Sequence, residues 1–181
     1  TIIFVVSDHG FGPIYKQIFI ICFLMEKGFL KLKINEFKNK LNLREFLIKI
    51  SYKLRLKHLI SKLPENILFK LKKIVPSSNP SVLDINWGNT QAYFNSYSGQ
   101  YIMINLKNRD SNGIVNAGNY ESVLENIKNE LLKLEDNGKK VIKKVYFSKE
   151  LYNGESLRNS PDIFVVTEDG YVLQEGFNDN I

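Results

Sequence analysis

A chain of 181 residues that is 44% hydrophobic, with 12 Phe and 9 Tyr, has enough apolar side chains for one ordinary core, which excludes disorder of the chain as a whole. Its net charge of +6 permits a polyanionic partner but bears on association rather than on fold. A single cysteine, Cys22, excludes an internal disulfide framework; its apolar setting between Ile18 and Met25 predicts a buried, inert thiol and a reducing, cytoplasmic location.

The first predicted element is a continuous apolar run, residues 2–6, read as a fully buried strand of a mostly parallel sheet. It ends at Ser7-Asp8-His9-Gly10. Polar residues at the carboxyl end of such a strand lie where ligands gather in open α/β sheets. The chain enters this run straight from Thr1, with no charged region ahead of it, unlike a signal peptide, and is read as starting within a longer protein. A helix is expected after Pro13, over Ile14 to Lys27, stopping at Gly28 in the C′ position. Its apolar stretch, Ile18 to Met25, falls short of the roughly 20 residues needed to cross a bilayer.

Residues 31–81 read as an inserted, basic helical cap. Leu43, Phe46, Leu47, Ile50 and Leu54 recur at helical spacing, and Asn42 with Glu45 resembles a capping box. From Lys27 to Lys73 there are 14 Lys or Arg against three Glu, a local excess of +11 in a chain of +6. Such a surface would dock nucleic acid or an anionic membrane face, or else be the solvated side of a cap packed on the main domain. Residues 77–81 then read as a linker.

Residues 82–181 return to the α/β pattern, and with residues 1–30 they make one domain. Strands are predicted over Gln91–Tyr97 and Tyr101–Leu106, joined by a turn at Ser98-Gly99. A helix follows over Tyr120–Leu134, with Val123, Leu124, Ile127, Leu131 and Leu134 on one face. Asp136-Asn137-Gly138 breaks the chain before a strand over Val141–Phe147. Another strand at Ile163–Val166 is expected to pair with Tyr171–Leu173.

Asp8 and His9 offer a hard carboxylate oxygen beside an imidazole nitrogen, a pair suited to zinc or a similar divalent ion, and Gly10 and Gly12 let the backbone approach a ligand. On the tripeptide alone, a turn-capping Asp and an ordinary His are the favoured reading. His58, among Lys57, Leu59 and Ile60, is read as a helix residue and not a ligand. Arg109 would suit a phosphate, or a structural ion pair. Asp162 reads as a turn or cap residue ahead of its strand. Neither Ser7 nor Thr90 has a base nearby in sequence to make it a nucleophile.

The stretch Phe4-Val5-Val6-Ser7-Asp8-His9-Gly10-Phe11-Gly12 resembles the metal-binding strand end of the type I phosphodiesterase and nucleotide pyrophosphatase family, within the alkaline phosphatase superfamily. The resemblance continues through Leu24-Met25-Glu26-Lys27-Gly28-Phe29-Leu30, Trp87-Gly88-Asn89-Thr90-Gln91-Ala92-Tyr93, Ile104-Asn105-Leu106-Lys107-Asn108-Arg109, Gly113-Ile114-Val115, Glu150-Leu151-Tyr152-Asn153-Gly154-Glu155 and Pro161-Asp162-Ile163. It implies a partial alkaline-phosphatase-like α/β domain, a mostly parallel sheet flanked by helices, carrying the helical cap. It also implies hydrolysis of phosphodiester or pyrophosphate bonds, in nucleotides for example, by a Thr or Ser nucleophile aided by two divalent ions, zinc first and manganese second. Asp8 and His9 would share one ion. The nucleophile and the remaining ligands match no segment of this chain, so the chain alone is expected to be inactive. A phosphomutase or sulfatase relative would share this metal chemistry. The contrasting reading is a non-catalytic basic module that binds nucleic acid or an anionic membrane; the hydrolase reading needs no obligate nucleic acid partner.

Overall fold

The computed structural model describes residues 4–7, 10–33, 84–94 and 99–175. The segment expected to form the cap, with His58, therefore lies almost wholly outside the described residues, as does the Ser98 side of the first hairpin turn.

The core grows from a four-stranded sheet. Strands β2 (Ala92–Tyr93), β3 (Tyr101–Ile104), β6 (Ile142–Phe147) and β7 (Ile163–Thr167) lie in the order β2-β3-β7-β6, each pair antiparallel. The expected hairpin is present, with Ala92 opposite Ile104 and Tyr93 opposite Met103. This sheet is antiparallel, not mostly parallel; the seven residues between β2 and β3 are too few for the crossover a parallel pair needs. Alternate residues Ile102, Ile104, Val145, Phe147, Ile163 and Val165 are buried on one face.

Helix α2 (Ala117–Leu132) packs against β6 and buries Val123, Leu124, Ile127 and Leu131, the face read from the sequence. At about 1.5–3 kcal/mol per fully buried aliphatic side chain, this stripe is a principal source of the helix's stability. After it, Asn137 (φ 51°) and Gly138 (φ 76°) form the two-residue turn of a short ribbon, β4 (Glu135–Asp136) and β5 (Lys139–Lys140). Both positions need positive φ, which Asn-Gly supplies at low cost.

Three expectations at the edges change. Phe4, Val5 and Val6 belong to no strand and are at least 82% exposed. A continuous apolar strand is buried only with neighbours on both sides, and no described strand lies beside it. The predicted helix from Ile14 starts instead at Ile20: residues Lys16–Phe19 form β1 and only Ile20–Glu26 form α1, which buries all five residues from Ile20 to Leu24, Cys22 included. Gly28 does take a positive φ, 80°, past the Lys27 cap. Lastly, β8 (Tyr171–Gln174) pairs in parallel with β1, Lys16 opposite Tyr171, and not with β7. The extended Gln17-Ile18-Phe19 run gains ladder hydrogen bonds from β8, and this tertiary partner overrides the helical spacing.

Two contacts fix β8. Gly170 (φ 88°) lies against the Tyr15 ring, where a Cβ would overlap it. Asp136 accepts from Lys16 Nζ at 2.5 and 2.7 Å and from the Tyr171 hydroxyl at 2.7 Å, tying β1 and β8 to the β4 ribbon. Among the described residues, no helix is long and apolar enough to cross a membrane.

Candidate functional site

Asp8 and His9 lie outside the described residues. Their flanks do not: Phe4–Ser7 and Gly10–Tyr15 are exposed, and the following chain is anchored where Tyr15 N–H and Lys16 N–H both donate to the Gly170 carbonyl, at 2.8 and 3.1 Å. At the anchor is a cleft of ≈ 620 Å³, walled by Ile14, Tyr15, Phe19, Phe23, Leu134 and Val141, with Lys16, Asp136 and Tyr171 at its polar side. Its size is that of a small-molecule site.

Hydrogen bonding to Asp136 raises the pKa of Lys16 and of Tyr171, while Lys16 in turn lowers that of Asp136. The ammonium is thus already paired with a carboxylate. Among the described residues, no group of three or more His, Cys, Asp or Glu side chains is arranged to hold a metal ion. The carboxylate and imidazole of Asp8 and His9 suit a divalent cation by chemistry, but two donors are fewer than the three or four protein ligands of a functional zinc site.

The structure brings two other sequence candidates together. Arg109, in the turn after β3, meets Asp162, just ahead of β7, in a two-pronged pair: Nη1 to Oδ1 and Nη2 to Oδ2, both 2.8 Å. Asp162 also accepts from the Ile104 N–H at 2.6 Å and from the Tyr120 hydroxyl at 2.5 Å. Arg109 further donates to the Ile104 carbonyl and, through Nε, to Asp110 at 3.3 Å. Each Asp162 oxygen therefore holds two donors in a side chain only 3% exposed. Burial works against the Arg109 charge, but Asp162 and Asp110 outweigh it and the guanidinium pKa rises. Burial, then Asp162, pushes the Tyr120 phenol up; burial, then Asp110, pushes Tyr93 up to about 12.

This is the ion-pair reading of Arg109, and it revises the plain turn reading of Asp162: the carboxylate clasps β3, the 105–115 turn and α2 to the start of β7. A cleft of ≈ 350 Å³ beside it is lined by Tyr120, Phe147, Ser148, Lys149 and Arg158 among others. Its cations are engaged, Lys149 with Glu121 at 2.8 Å and Arg158 with the Asn108 carbonyl at 2.6 Å.

Thr90, fully buried, accepts from Lys31 N–H at 3.0 Å and donates to the Asn86 carbonyl at 2.9 Å, so its hydroxyl serves the fold. Tyr120, Asp110 and Lys16 escaped sequence reasoning. Their partners lie 42, 17 and 120 residues away, and no local pattern marks them.

No curated protein and no solved structure matches this chain. The family model described as type I phosphodiesterase / nucleotide pyrophosphatase matches residues 1–180, taking in Asp8-His9 as well as the Arg109 and Asp162 segments. A match of that extent points to phosphoester hydrolysis. The chain belongs to the type I phosphodiesterase / nucleotide pyrophosphatase family.

Proposed function

We propose that the chain supplies part of the active site of a metal-dependent phosphoesterase acting on phosphodiester or pyrophosphate bonds in nucleotide-like substrates. The observation that carries this reading is the family match running through Ser7-Asp8-His9-Gly10. Asp8 would donate a carboxylate oxygen and His9 an imidazole nitrogen to one divalent ion, zinc first and manganese second. Such an ion, when bound, stabilises charge on phosphoryl oxygens and lowers the pKa of a nucleophile. Gly10 and Gly12 would keep the backbone beside that pair free of side chains that crowd a substrate.

The Thr or Ser nucleophile and the remaining ligands would come from other parts of a longer parent. Two features favour that arrangement: the exposed apolar run at Phe4–Val6, and the β1–β8 pair. Parallel strands occur as buried members of larger sheets, and β1–β8 is a parallel sheet of two. Strands from elsewhere in the parent would bury both. The inserted cap over residues 31–81, and a cytoplasmic location read from the lone Cys22, belong to the same proposal.

The test is zinc- and manganese-dependent hydrolysis of a chromogenic phosphodiester by the full-length parent. Asp8→Ala and His9→Ala should each lower kcat/KM at least a hundredfold, a loss of the order seen when a transition-state charge stabiliser is removed. Each should also weaken zinc binding measured by calorimetry. Undiminished hydrolysis and zinc affinity in both variants would remove the metal roles.

A further inference from the structure

Three Asn-Gly pairs occur in the chain: Asn112-Gly113, Asn137-Gly138 and Asn153-Gly154. Glycine carries no Cβ, so its amide nitrogen is the backbone nitrogen that a preceding asparagine side chain reaches with least hindrance. Once deprotonated, that nitrogen can attack the asparagine Cγ and close a succinimide ring. The local sequence offers this chemistry at every pair. What differs is how each nitrogen and each side chain is held.

Asn112-Gly113 is pinned from both sides. The Gly113 N–H donates to the Asp110 carbonyl at 3.0 Å, the Asn112 carbonyl accepts from the Asn105 side-chain amide at 3.1 Å, and a Cβ at Gly113 would overlap the Leu106 carbonyl. Asn137-Gly138 is the turn between β4 and β5, clamped by Asp136 opposite Lys139. Its side-chain amide donates to Asp136 Oδ1 at 3.0 Å, which holds the amide away from ring closure. Asn153-Gly154 has neither restraint. It lies between α3 (Ser148–Leu151) and a short 3₁₀ turn (Glu155–Asn159), and each residue from Leu151 to Ser156 is exposed. Among the hydrogen bonds of the described residues, none involves the Asn153 side chain or the Gly154 N–H. A Cβ at Gly154 would meet nothing within 4 Å, so the surroundings leave room for the ring. An exposed amide without an acceptor gives its proton to hydroxide far more readily than one held in a bond.

We propose that Asn153 is a modification site, deamidating in the folded protein ahead of Asn112 and Asn137. The Gly154 nitrogen loses its proton to hydroxide, bonds to Asn153 Cγ and expels Nδ2 as ammonia. Water then opens the succinimide at either carbonyl and leaves aspartate or isoaspartate, with no change of oxidation state. The product is a new carboxylate beside Glu155, on the lip of the ≈ 350 Å³ cleft that Gly154, Lys149 and Arg158 line. In the isoaspartate form the backbone also gains a methylene just ahead of the 3₁₀ turn that brings Arg158 to the Asn108 carbonyl. The proposal is independent of the hydrolase reading, because it uses neither Asp8 nor His9.

The experiment is incubation of the protein in mildly alkaline buffer, folded and in urea, followed by tryptic peptide mapping with mass spectrometry. Lysines between the pairs put each Asn-Gly in a separate peptide. Expected in the folded protein is conversion of Asn153 several times faster than of Asn137 or Asn112, to aspartate and isoaspartate together, and faster as the pH rises. In urea the rates should draw together, since the fold is what protects Asn112 and Asn137. Asn153→Gln should abolish the early product, because its side chain would have to close a larger ring, and circular dichroism checks that this exposed change leaves the fold intact. An unconverted Asn153, or an Asn112 or Asn137 converting as fast in the folded protein, would overturn the proposal. So would the same ranking in urea, or a product that is aspartate alone.

Discussion

Arg109 shows how one side chain changes meaning with its partner. A guanidinium fork suits a phosphate and a carboxylate equally well, and the choice between them depends on what lies opposite. Here Asp162 lies opposite, takes both prongs, and completes its four bonds with Ile104 N–H and the Tyr120 hydroxyl. Removing one member strands a buried charge. Arg109→Ala should therefore destabilise the protein by about 3–5 kcal/mol in urea unfolding, and Arg109→Lys by a smaller amount because one prong is lost. Replacing both residues with apolar ones of similar size should cost less than either single change. A double change as damaging as the sum of the two singles would contradict the clasp.

Tyr93 makes a second prediction at this scale. Burial and the nearby Asp110 push its phenol from 10 up to about 12, so the folded state favours the protonated form. Its contribution to stability is complete below pH 10 and is lost as the pH rises toward 12, because the unfolded chain ionises first. Absorbance titration of the tyrosines should show Tyr93 ionising late, and Tyr93→Phe should remove that late component. A titration unchanged by Tyr93→Phe would refute the assignment.

At the scale of elements, turns decide more than strands do. The turn after β3 closes with Ile114 and Val115 N–H both donating to the Asn105 carbonyl, while the Asn105 side-chain amide reaches the carbonyls of Trp87, Thr90 and Asn112. Gly113 sits so near this crossing that a Cβ would overlap the Leu106 carbonyl. Those overlaps are with backbone, which cannot swing aside as a flexible side chain does. Gly113→Ala should lower the thermal midpoint by several degrees or more, with a loss above about 2 kcal/mol, whereas Gly118→Ala, where a Cβ meets nothing within 4 Å, should be neutral or better. Calorimetry of the two variants compares them directly, and equal midpoints would refute the packing argument. The helix α2 and the β2–β3 hairpin were legible because their signals are local, a 3.6-residue apolar period and two strand-prone runs flanking Ser98-Gly99, whereas Asp136-Asn137-Gly138 was read as a break and not as the turn of a ribbon. The helix predicted from Ile14 was not, because its first residues had a strand partner more than 150 positions away.

At the scale of the whole molecule, the described parts divide into a finished half and an open one. The antiparallel sheet, α1 and α2 close a core in which Ile20, Leu24, Ile102, Ile104, Ile127 and Ile163 are fully buried. The N-terminal run and the β1–β8 pair are open, with no further described strand beside either. The candidate site was legible as chemistry, a carboxylate and an imidazole ahead of two glycines, while the substitutions at Asp8 and His9 remain its test. The geometry of that pair lies outside the described residues, and no spacing rule gives the distance between donors drawn from separate segments.

The sequence by itself determined the family, the apolar stripe of α2, the strands at Ile142–Phe147 and Ile163–Thr167, and the break at Asp136-Asn137-Gly138. Each rests on residues close together in the chain, where periodicity and backbone preference act. Only the tertiary structure decided that Arg109 holds Asp162, that β8 joins β1, and that β3 sets Tyr101 opposite Phe164. Those outcomes depend on pairings 53, 155 and 63 residues apart. Such pairings are chosen by which burial and hydrogen bonding the whole fold can satisfy at once.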